Sequence, residues 1–425
     1  MKIAIAGAGF TGLSAALVLA RQKHQVTVFE KEATLGGLAA GFKEKNWQWT
    51  VERHYHHWFT NDSFAINLIN DVGLGDKLIF PPSVTSIYYK GESLPFNSPS
   101  DVLRFSPLAP IDRLRVGAVL LYLKLLPPDM AIRLESETAA AWLSRYFGQK
   151  AYSILWQPLL LGKFGLYADR VNMAWFWARI KKRTPRLGYL LGGYHLLMDK
   201  ISKEIVSLGG SIKFNSPYSK DKDKSFDKII FTAPSFVFAK TYPELPEVYR
   251  QRITSIPHLF ALNLLLETED KFLADTYWLN INDRKFPFIA VVAHTNLVDK
   301  KYYGGKTLTW IGNYLPQNHR YLRMSKEELY REYLPFLAKI NPSFKYRPKS
   351  DRLQLFTGPF AQPVFFRNYS SFKPDLATPL PNVILANMDM VYPWDRGTNY
   401  AIELGFKAAA AVIGLPPIEL QHILI

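Results

Sequence analysis

The 425-residue sequence contains no cysteine. A disulfide framework, a thiolate zinc site, a CxxC redox pair and a cysteine nucleophile are therefore excluded. The sequence also lacks a long apolar run. Residues 116–123 form the longest one beyond the N-terminus, whereas a membrane-spanning helix needs ~20 apolar residues. We therefore expect a protein without a spanning helix.

Acidic residues are scarce relative to basic ones: 36 Asp and Glu stand against 52 Lys and Arg, a net charge of +16. Such a balance is typical of proteins that meet nucleic acid, an anionic membrane surface or an acidic substrate. Hydrophobic residues make up 48% of the chain and charged residues 21%, which indicates a folded globular protein. At roughly 150 residues per domain, the length allows two or three domains.

The N-terminal residues 1–18 superficially resemble a signal peptide, because an apolar run follows a single lysine. Gly7, Gly9 and Gly12 interrupt that run, and no small-residue cleavage site follows before Arg21, which is atypical of a secretory segment. We interpret the segment as part of the fold and expect a cytoplasmic protein.

The same segment has the pattern of a strand, a glycine turn, a helix and a second strand. Gly7 to Gly12 match GxGxxG, and Glu30 ends the second strand. Gly7 permits the tight turn, Gly9 lets a pyrophosphate approach the backbone, and Gly12 lets the helix pack against the sheet. Glu30 would accept hydrogen bonds from ribose hydroxyls. The pattern predicts a dinucleotide site at a helix N-terminus; the alternative is a glycine turn in a nucleotide-free α/β fold.

Rossmann-like strand and helix patterns return three times, in residues 1–75, 185–250 and 360–425. The stretches between them, 76–184 and 251–359, carry amphipathic helix candidates and apolar strands. The sequence therefore predicts an α/β protein with a discontinuous Rossmann-like nucleotide-binding domain and an inserted α+β substrate domain.

Three stretches resemble the FAD-dependent superfamily that contains flavin amine oxidases, protoporphyrinogen oxidases, phytoene desaturases and UDP-galactopyranose mutases. They are residues 4–42, in which Glu30 is followed by KEATL and Gly36-Gly37, residues 192–235 and residues 380–414. The resemblance implies a GR2-type FAD-binding domain and FAD as the cofactor. It covers about a third of the chain and leaves the reaction open.

The resemblance also implies which residues contact the cofactor. Asp389 lies where the family's closing Asp meets the ribityl and pyrophosphate region, although the family usually has Gly-Asp where this chain has Met388-Asp389. A loop or capping role is the alternative for Asp389. The cofactor contacts so implied are Gly7, Gly9, Phe10, Thr11, Gly12, Glu30, Lys31, Gly36, Gly37, Leu38, the Tyr218 backbone, Asp389, Gly397, Thr398 and Asn399.

Gly397-Thr398-Asn399 begins the last predicted helix. A helix N-terminus directed at the flavin pyrimidine edge would stabilise negative charge there. For Asp395 and Thr398 the alternative is a purely structural role as N-cap of this helix. Arg396 is predicted to neutralise reduced flavin or to hold an anionic substrate.

Three of the nine histidines, His54, His56 and His57, lie within four positions. They could orient the substrate, stabilise reduced flavin or shuttle a proton. On a strand, His54 and His56 would share one face, but a third ligand is not evident nearby, so we predict no metal site. The alternative is histidines held by backbone partners. Together with Arg396, these histidines are the predicted catalytic residues.

The second insertion supplies three candidate substrate contacts: His294, at the end of the apolar strand FIAVVA, and Asn313 and Tyr314 on a later strand. A polar group at the end of a buried strand is able to line a cavity. Aromatic residues at strand period are more often plain core.

The basic residues are densest at 181–186, and others surround the apolar helix candidate at 116–123. Basic residues around an apolar helix are typical of a membrane-surface segment; the alternative is a buried helix with solvated ends. No nucleic-acid-binding module is recognisable. We therefore expect an anionic or lipid-linked small-molecule substrate, and peripheral contact with an anionic membrane at its inner face; the oligomeric state stays open.

The resulting hypothesis is an FAD-dependent oxidoreductase that takes a hydride from a C–H or N–H bearing substrate, such as an amine, a porphyrinogen or an isoprenoid-like lipid. A mutase-like isomerase of a sugar nucleotide is the first alternative. A non-enzymatic flavin-binding peripheral membrane protein is the second.

Overall fold

The computed structural model describes residues 1–414. The end of the third predicted segment of the nucleotide-binding domain, residues 415–425, lies outside the described residues. The strands are β1 (Lys2–Ala6), β2 (Gln25–Phe29), β3 (Gly41–Phe42), β4 (Val51–Glu52), β5 (Trp58–Phe59), β6 (Leu78–Ile79), β7 (Val84–Tyr89), β8 (Glu92–Pro95), β9 (Leu187–Leu190), β10 (Ser211–Lys213), β11 (Lys228–Phe231), β12 (His258–Thr268), β13 (Thr276–Ile281), β14 (Ala290–Ala293), β15 (Thr307–Leu315), β16 (Arg352–Pro363) and β17 (Val383–Leu385).

Helices connect these strands and cover the sheets. The α-helices are α1 (Phe10–Arg21), α2 (Ser63–Asp71), α3 (Pro99–Arg104), α4 (Pro110–Leu125), α5 (Pro128–Ala131), α6 (Ala139–Phe147), α7 (Gln149–Ala151), α8 (Gln157–Phe164), α9 (Met173–Lys182), α10 (Tyr194–Ser207), α11 (Ser235–Thr241), α12 (Glu247–Thr254), α13 (Lys326–Ile340) and α14 (Thr398–Ile413).

The first sheet is parallel, with the strand order β10-β2-β1-β11-β17. Its strands read as apolar runs because helices cover both faces of a parallel sheet. They come from three separated parts of the chain and meet in one layer. The structure therefore has the predicted α/β class, with a Rossmann-like layer assembled discontinuously.

The second sheet has the order β16-β12-β15-β14-β13-β7-β8, and its pairs are antiparallel except for β13 with β7. Strand β12 lies near one edge of this sheet and is buried along most of its length. The predicted domain boundaries at 250/251 and 359/360 fall inside α12 and β16. The division into two domains otherwise stays a prediction.

Helix α14 packs on α1, the helix that follows the glycine turn. Their backbones approach closely at Gly405, where a Cβ atom would lie 2.3 Å from the Thr11 carbonyl oxygen and 2.9 Å from the Ser14 Cβ. Only glycine allows this approach without a shift of the helices. The contact places the N-terminus of α14 beside the first sheet.

Helix α4 confirms the helix that the sequence predicts at residues 116–123, and it extends beyond that range at both ends. It is also more exposed than expected for a buried helix with solvated ends. Only Val116 and Leu123 are buried along its length. No helix in residues 1–414 is both long and apolar enough to cross a membrane.

Replacing Gly405 by Ala tests the α1–α14 contact. Alanine favours a helix by up to about 1 kcal/mol over glycine, but here its Cβ would push the helices apart, at a cost of about 1–3 kcal/mol. We expect Gly405→Ala to lower the free energy of unfolding, measured by urea denaturation followed by circular dichroism. Gly117→Ala, in the open middle of α4, is the matched control and should raise it slightly. Equal effects of the two changes would contradict the close contact.

Candidate active site

The glycine turn between β1 and α1 contains two positions at which the surrounding protein leaves no space for a Cβ atom. A Cβ at Gly7 would lie 2.6 Å from Thr232 Oγ1, and one at Gly12 would lie 1.9 Å from the Gly7 carbonyl oxygen. Gly7 also has a φ of 110°, which side chains rarely adopt. These two glycines shape the turn.

Gly9 differs, because the protein leaves the space above it open. A Cβ at Gly9 would meet only the Gly36 carbonyl oxygen, at 3.9 Å, and one at Gly37 only the Gly9 Cα, at 3.8 Å. Gly9 is also the N-cap of α1, and no side chain caps this helix. Unpaired N–H groups therefore border a gap without Cβ atoms, which suits the diphosphate of a dinucleotide.

Glu30 is buried, and its carboxylate holds the glycine turn through hydrogen bonds to the backbone. Its Oε2 accepts a hydrogen bond from the Ala8 N–H at 2.8 Å, and its Oε1 accepts one from the Glu32 N–H at 2.9 Å. A carboxylate oxygen has a second lone pair, so contact with a ribose hydroxyl stays a prediction compatible with this geometry. Lys31 beside it is exposed and pairs with Glu32 at 3.3 Å.

Tyr218 lies beside Phe29 at the end of β2, with an edge-to-face ring distance of 5.4 Å. Its hydroxyl donates to Asp223 at 2.7 Å. These contacts hold the segment after β10 next to Glu30, where the Ser216 N–H donates to the Glu30 carbonyl at 2.8 Å. The placement leaves the predicted adenine contact of the Tyr218 backbone open to test.

Asp389 is fully engaged with other side chains. It accepts hydrogen bonds from Ser235 Oγ at 2.5 Å and His258 Nε2 at 2.6 Å, and it is 1% exposed. Burial lowers the pKa of His258, but the attraction of Asp389 outweighs burial and raises it. The aspartate therefore ties the turn after β17 to α11 and β12, and its contact with a cofactor stays a prediction.

The alternative of a side-chain cap on α14 is wrong. Gly397 is the N-cap, and neither Asp395 nor Thr398 caps the helix with its side chain. Asp395 pairs instead with buried cations, described below. Asn399 accepts a hydrogen bond from the Ala65 N–H at 3.0 Å, which joins α14 to α2. The first N–H groups of α14 therefore have no side-chain cap.

One cavity joins the segment between β4 and β5 with α8, α9, the second sheet and the start of α14. The space open to the centres of water-sized molecules within it is about 230 Å³. The predicted residues that line it are Leu38, His54, His56, His57, Tyr314, Arg396, Gly397, Thr398 and Asn399.

The remaining predicted residues lie outside this cavity. The glycine turns, Glu30, Tyr218 and Asp389 surround the first sheet. His294 and Asn313 are corrections to the prediction: His294 Nε2 bonds the Tyr303 hydroxyl at 2.8 Å, and Asn313 Nδ2 donates to the Pro287 carbonyl at 2.5 Å. Buried polar groups take protein partners where no ligand reaches them.

The histidine segment is irregular, so His54 and His56 do not share the face of a strand. Residues 53–57 lie between β4 and β5 without strand pairing. His56 Nδ1 donates to the His54 carbonyl at 2.5 Å, and Asn263 Nδ2 donates to His54 Nδ1 at 2.6 Å. These bonds assign the proton of His54 to Nε2 and that of His56 to Nδ1.

All three histidines are neutral at pH 7. Burial, with smaller contributions from nearby cationic groups, lowers the pKa of His54 to about 3, that of His56 to about 4 and that of His57 to about 3. His57 Nδ1 is also buried without a hydrogen-bond partner among the described residues. The histidines therefore offer neutral donors and acceptors to a ligand. Within residues 1–414, no three His, Asp or Glu side chains come together as metal ligands.

Asp395 is the centre of an ion cluster on the cavity wall. Lys163 Nζ donates to it at 2.8 Å and Arg179 Nη1 at 3.0 Å, and Trp175 Nε1 adds a bond at 3.2 Å. Burial raises the pKa of Asp395, but the two cations outweigh burial and lower it. Burial lowers the pKa of Lys163 to about 7 despite its pairing with Asp395.

Arg396 extends across the same wall. Its Nε donates to Gln362 Oε1 at 2.8 Å, and its guanidinium lies 4.8 Å from the centre of the Tyr314 ring. Burial, with a smaller contribution from Arg179, lowers its pKa to about 10. Because only Nε is hydrogen-bonded and the flat face of the guanidinium lies against the Tyr314 ring, the remaining N–H groups of Arg396 are available to a ligand.

The cavity carries an excess of positive charge. Five cationic side chains line it against two carboxylates, Asp62 and Asp395, and the three histidines are neutral. Burial raises the pKa of Asp62 to about 6, so this carboxylate is mostly ionised at pH 7. The cations are Lys163, Arg179, Lys182, Arg183 and Arg396.

Sequence reasoning missed Lys163, Arg179, Asn263 and Gln362. Lys163 left one signal: it is the only charge in the apolar stretch 158–166, and a lysine is seldom buried without a specific reason. The other three have no such signal, because their partners lie on distant parts of the chain.

The open space beside Gly9 and Gly37 suits a dinucleotide, and the cavity at the N-terminus of α14 suits a second ligand. The family model for flavin-containing amine oxidoreductases matches residues 10–413. The chain belongs to this family, and FAD is its cofactor.

Curated relatives match parts of the chain. A 15-cis-phytoene desaturase of Synechococcus elongatus is 33% identical over 100 residues, which cover 24% of this chain and 19% of the relative. A coproporphyrinogen III oxidase of Staphylococcus aureus is 25% identical over 204 residues, which cover 45% of this chain and 42% of the relative. In each case the chain matches less than half of the relative's length.

Solved structures share the fold over nearly the whole chain. An oxidoreductase of Methanosarcina mazei aligns with a TM-score of 0.73 at 17% identity, covering 97% of this chain and 100% of that one. A reduced UDP-galactopyranose mutase aligns with a TM-score of 0.72 at 17% identity, covering 100% and 99%. At these identities the likeness confirms the fold class alone.

Gly9→Val tests the diphosphate gap without testing the fold. The protein leaves room for the new side chain, so we expect the free energy of unfolding to change by only about 1 kcal/mol, the cost of a poor N-cap. The same side chain would occupy the space of the diphosphate, so FAD affinity should fall at least ~100-fold. Titration with FAD followed by flavin fluorescence measures this. Gly9→Ala should give an intermediate loss; full flavin content in Gly9→Val would refute the assignment.

Proposed function

We propose that the protein is an FAD-dependent oxidoreductase that takes a hydride from a C–H or N–H bond of an anionic small molecule. The observation that carries this proposal is the charge of the cavity, in which five cations face two carboxylates. When bound, FAD supplies the hydride acceptor. An anionic substrate would supply the negative charge that is missing opposite these cations.

Arg396 and Arg179 are the groups that would bind the acid of the substrate. Both are already oriented, Arg396 by Gln362 and Arg179 by Asp395. A preoriented guanidinium loses little freedom when it binds a carboxylate or phosphate, and it can bind with two parallel hydrogen bonds. The substrate would therefore be fixed at its acidic end.

The N-terminus of α14 stabilises negative charge on the cofactor side of the cavity. Gly397, Thr398 and Asn399 line the cavity there, and no side chain caps the helix. The unpaired N–H groups and the positive end of the helix dipole would face charge that develops during hydride uptake. The neutral His56 leaves Nε2 as a hydrogen-bond acceptor for substrate.

Lys163 Nζ is the group best suited to move a proton. Its pKa of about 7 leaves comparable amounts of ammonium and amine at physiological pH, and this is the condition in which a general acid or base works efficiently. It lines the cavity together with Arg179 and Arg396. The amine form would accept the proton that an N–H or O–H substrate releases.

The charge of the cavity also ranks the predicted substrate classes. A protonated amine would meet four arginine and lysine cations and a partly ionised Lys163, so it is disfavoured by repulsion. A porphyrinogen carries carboxylates, and a phosphorylated isoprenoid carries phosphate, so both fit. The likeness to a coproporphyrinogen III oxidase supports the first of these.

A mutase-like isomerisation of a sugar nucleotide is a second candidate, because the same cations would hold a diphosphate. The fold likeness to a reduced UDP-galactopyranose mutase supports it. In that case the substrate would be rearranged without net oxidation, and the enzyme would work only with reduced cofactor.

An anaerobic substrate screen tests both candidates. Holoenzyme is mixed with porphyrinogens, polyprenyl phosphates, aliphatic amines and UDP-sugars, and the absorbance of oxidised flavin is followed. We expect bleaching by acid-bearing donors and not by amines. Bleaching by amines alone would contradict the proposal. A rearranged sugar that forms only after reduction with dithionite would favour the mutase.

Arg396→Met should weaken binding of the substrate acid. Loss of a charged hydrogen bond costs about 1.5–3 kcal/mol, so KM should rise roughly 10- to 100-fold while flavin content stays unchanged. Steady-state kinetics with the substrate found in the screen measures this. Arg320→Met, at an exposed arginine paired with Glu332, is the control and should leave KM unchanged. An equal KM in both variants would sink the role of Arg396.

Lys163 should make anion binding depend on pH. Because its pKa is about 7, the ammonium form dominates below pH 7 and disappears above it. Affinity for benzoate, whose charge is constant from pH 6 to 9, should therefore fall about tenfold as the pH rises through 7. Calorimetric titration measures the affinity. In Lys163→Met this dependence should shrink to the part near pH 6 that the ionisation of Asp62 contributes; an unchanged pH profile in the variant would contradict it.

A further inference from the structure

Helix α4 has two apolar faces, of which only one belongs to the core. Val116 and Leu123 are buried, and Val119 and Leu120 are partly buried against the same core, whereas the remaining large apolar side chains are each more than half exposed. At 100° per residue, the exposed ones fall on one stripe about 100° wide. The α4 stripe, as we call it, consists of Ile111, Leu114, Leu121, Tyr122 and Leu125.

Neighbouring elements extend the α4 stripe. Leu103 at the end of α3 and Met130 in α5 are each 52% exposed, and α3 packs on α4. Soluble proteins rarely expose a contiguous apolar patch of this extent unless it meets a partner.

Basic residues gather at the C-terminal end of the stripe. Lys124 Nζ donates to the carbonyls of Lys181 at 2.9 Å and Arg183 at 2.7 Å, and Lys181 Nζ donates to the Lys124 carbonyl at 2.8 Å. These ammonium groups are thus held by backbone carbonyls and not by carboxylates, so their charge is not neutralised. Burial lowers the pKa of Lys124, and the neighbouring cations lower it further.

Cations outnumber acids in the two chain segments that carry the stripe and the basic residues at its end. Nine basic residues in 99–134 and 181–186 stand against three acidic ones, Asp101, Asp112 and Asp129. Arg104 and Arg133 are exposed. We call Arg104, Lys124, Arg133 and Lys181 the basic margin of the stripe. An apolar helical face with such a margin is typical of a helix that lies in the interface of an anionic membrane.

We propose that the α4 stripe docks the protein on an anionic lipid bilayer, with α4 lying in the plane of the interface. The apolar side chains enter the headgroup boundary, and the basic margin meets lipid phosphates. A second copy of this chain would fit less well, because two basic margins would repel each other.

The basic margin also adjoins the cavity. Lys182 and Arg183 line the cavity, and they follow directly on Lys181 at the end of α9. A bilayer docked on the α4 stripe would therefore lie beside one cavity wall, which suits a lipid-linked anionic substrate. This consequence rests on the proposed function, whereas the docking itself does not.

Vesicle flotation of the full-length holoenzyme tests the docking. Vesicles of phosphatidylcholine are compared with vesicles that also contain phosphatidylglycerol, and we expect binding to the second kind that weakens with salt. Leu114→Ser/Leu121→Ser/Leu125→Ser should lower this binding at least ~10-fold. The matched control is Leu166→Ser/Val206→Ser/Val248→Ser, which changes equally exposed side chains off the stripe and should bind as wild type does.

Charge variants separate electrostatics from apolar insertion. Arg104→Gln and Arg133→Gln should each weaken binding to anionic vesicles about fivefold, whereas Arg284→Gln and Arg323→Gln, exposed on other surfaces, should not. Wild-type binding by the triple stripe variant would overturn the proposal. So would a wild-type dimer that the stripe variant converts to monomer without any vesicle binding. Flavin bleaching by a water-soluble substrate should be the same in all these variants, which keeps failure of the docking distinct from failure of the proposed function.

Discussion

The candidate site depends on the charge of Asp395. Lys163 and Arg179 are cations on a largely buried wall, and buried cations without a counter-charge are strongly destabilising. Asp395 binds both and directly precedes Arg396 and the N-terminus of α14. One carboxylate therefore sets the relative positions of α8, α9 and α14. The cavity exists in this shape because these three helices meet at Asp395.

Asp395 does not complete the neutralisation. Burial lowers the pKa values of Lys163 and Arg396, and their neighbouring cations lower them further, so the cavity holds its positive charge at an energetic disadvantage. Such residual repulsion is common where a ligand supplies the missing charge. The neutral histidines fit the same logic, since a protonated histidine in this space would add to the repulsion. Under the proposed function, the electrostatic cost in the free protein would become selectivity for an anion.

Sequence reasoning reached the parts of the site that are contiguous in the chain. The glycine turn, the histidine segment and Gly397–Asn399 each carry their signal within a few residues, because local backbone geometry demands those residue types. It did not reach the Lys163–Asp395 pair, whose members are 232 residues apart, nor Asn263, whose partner His54 is 209 residues away. The alternative of a cap at Asp395 was wrong for the same reason. A cap contributes about 1 kcal/mol, and neutralising two buried cations outweighs it.

Part of the net charge of +16 lies in residues 181–186. These residues contribute Lys182 and Arg183 to the cavity and Lys181 to the surface beside α4, so one short basic segment joins both regions. Salt screens exposed charges much more than buried ones. If α4 docks on an anionic bilayer and the cavity binds an anion, as we propose, ionic strength would weaken the contact of exposed Lys124 with the bilayer more than the binding of the anion beside buried Lys163.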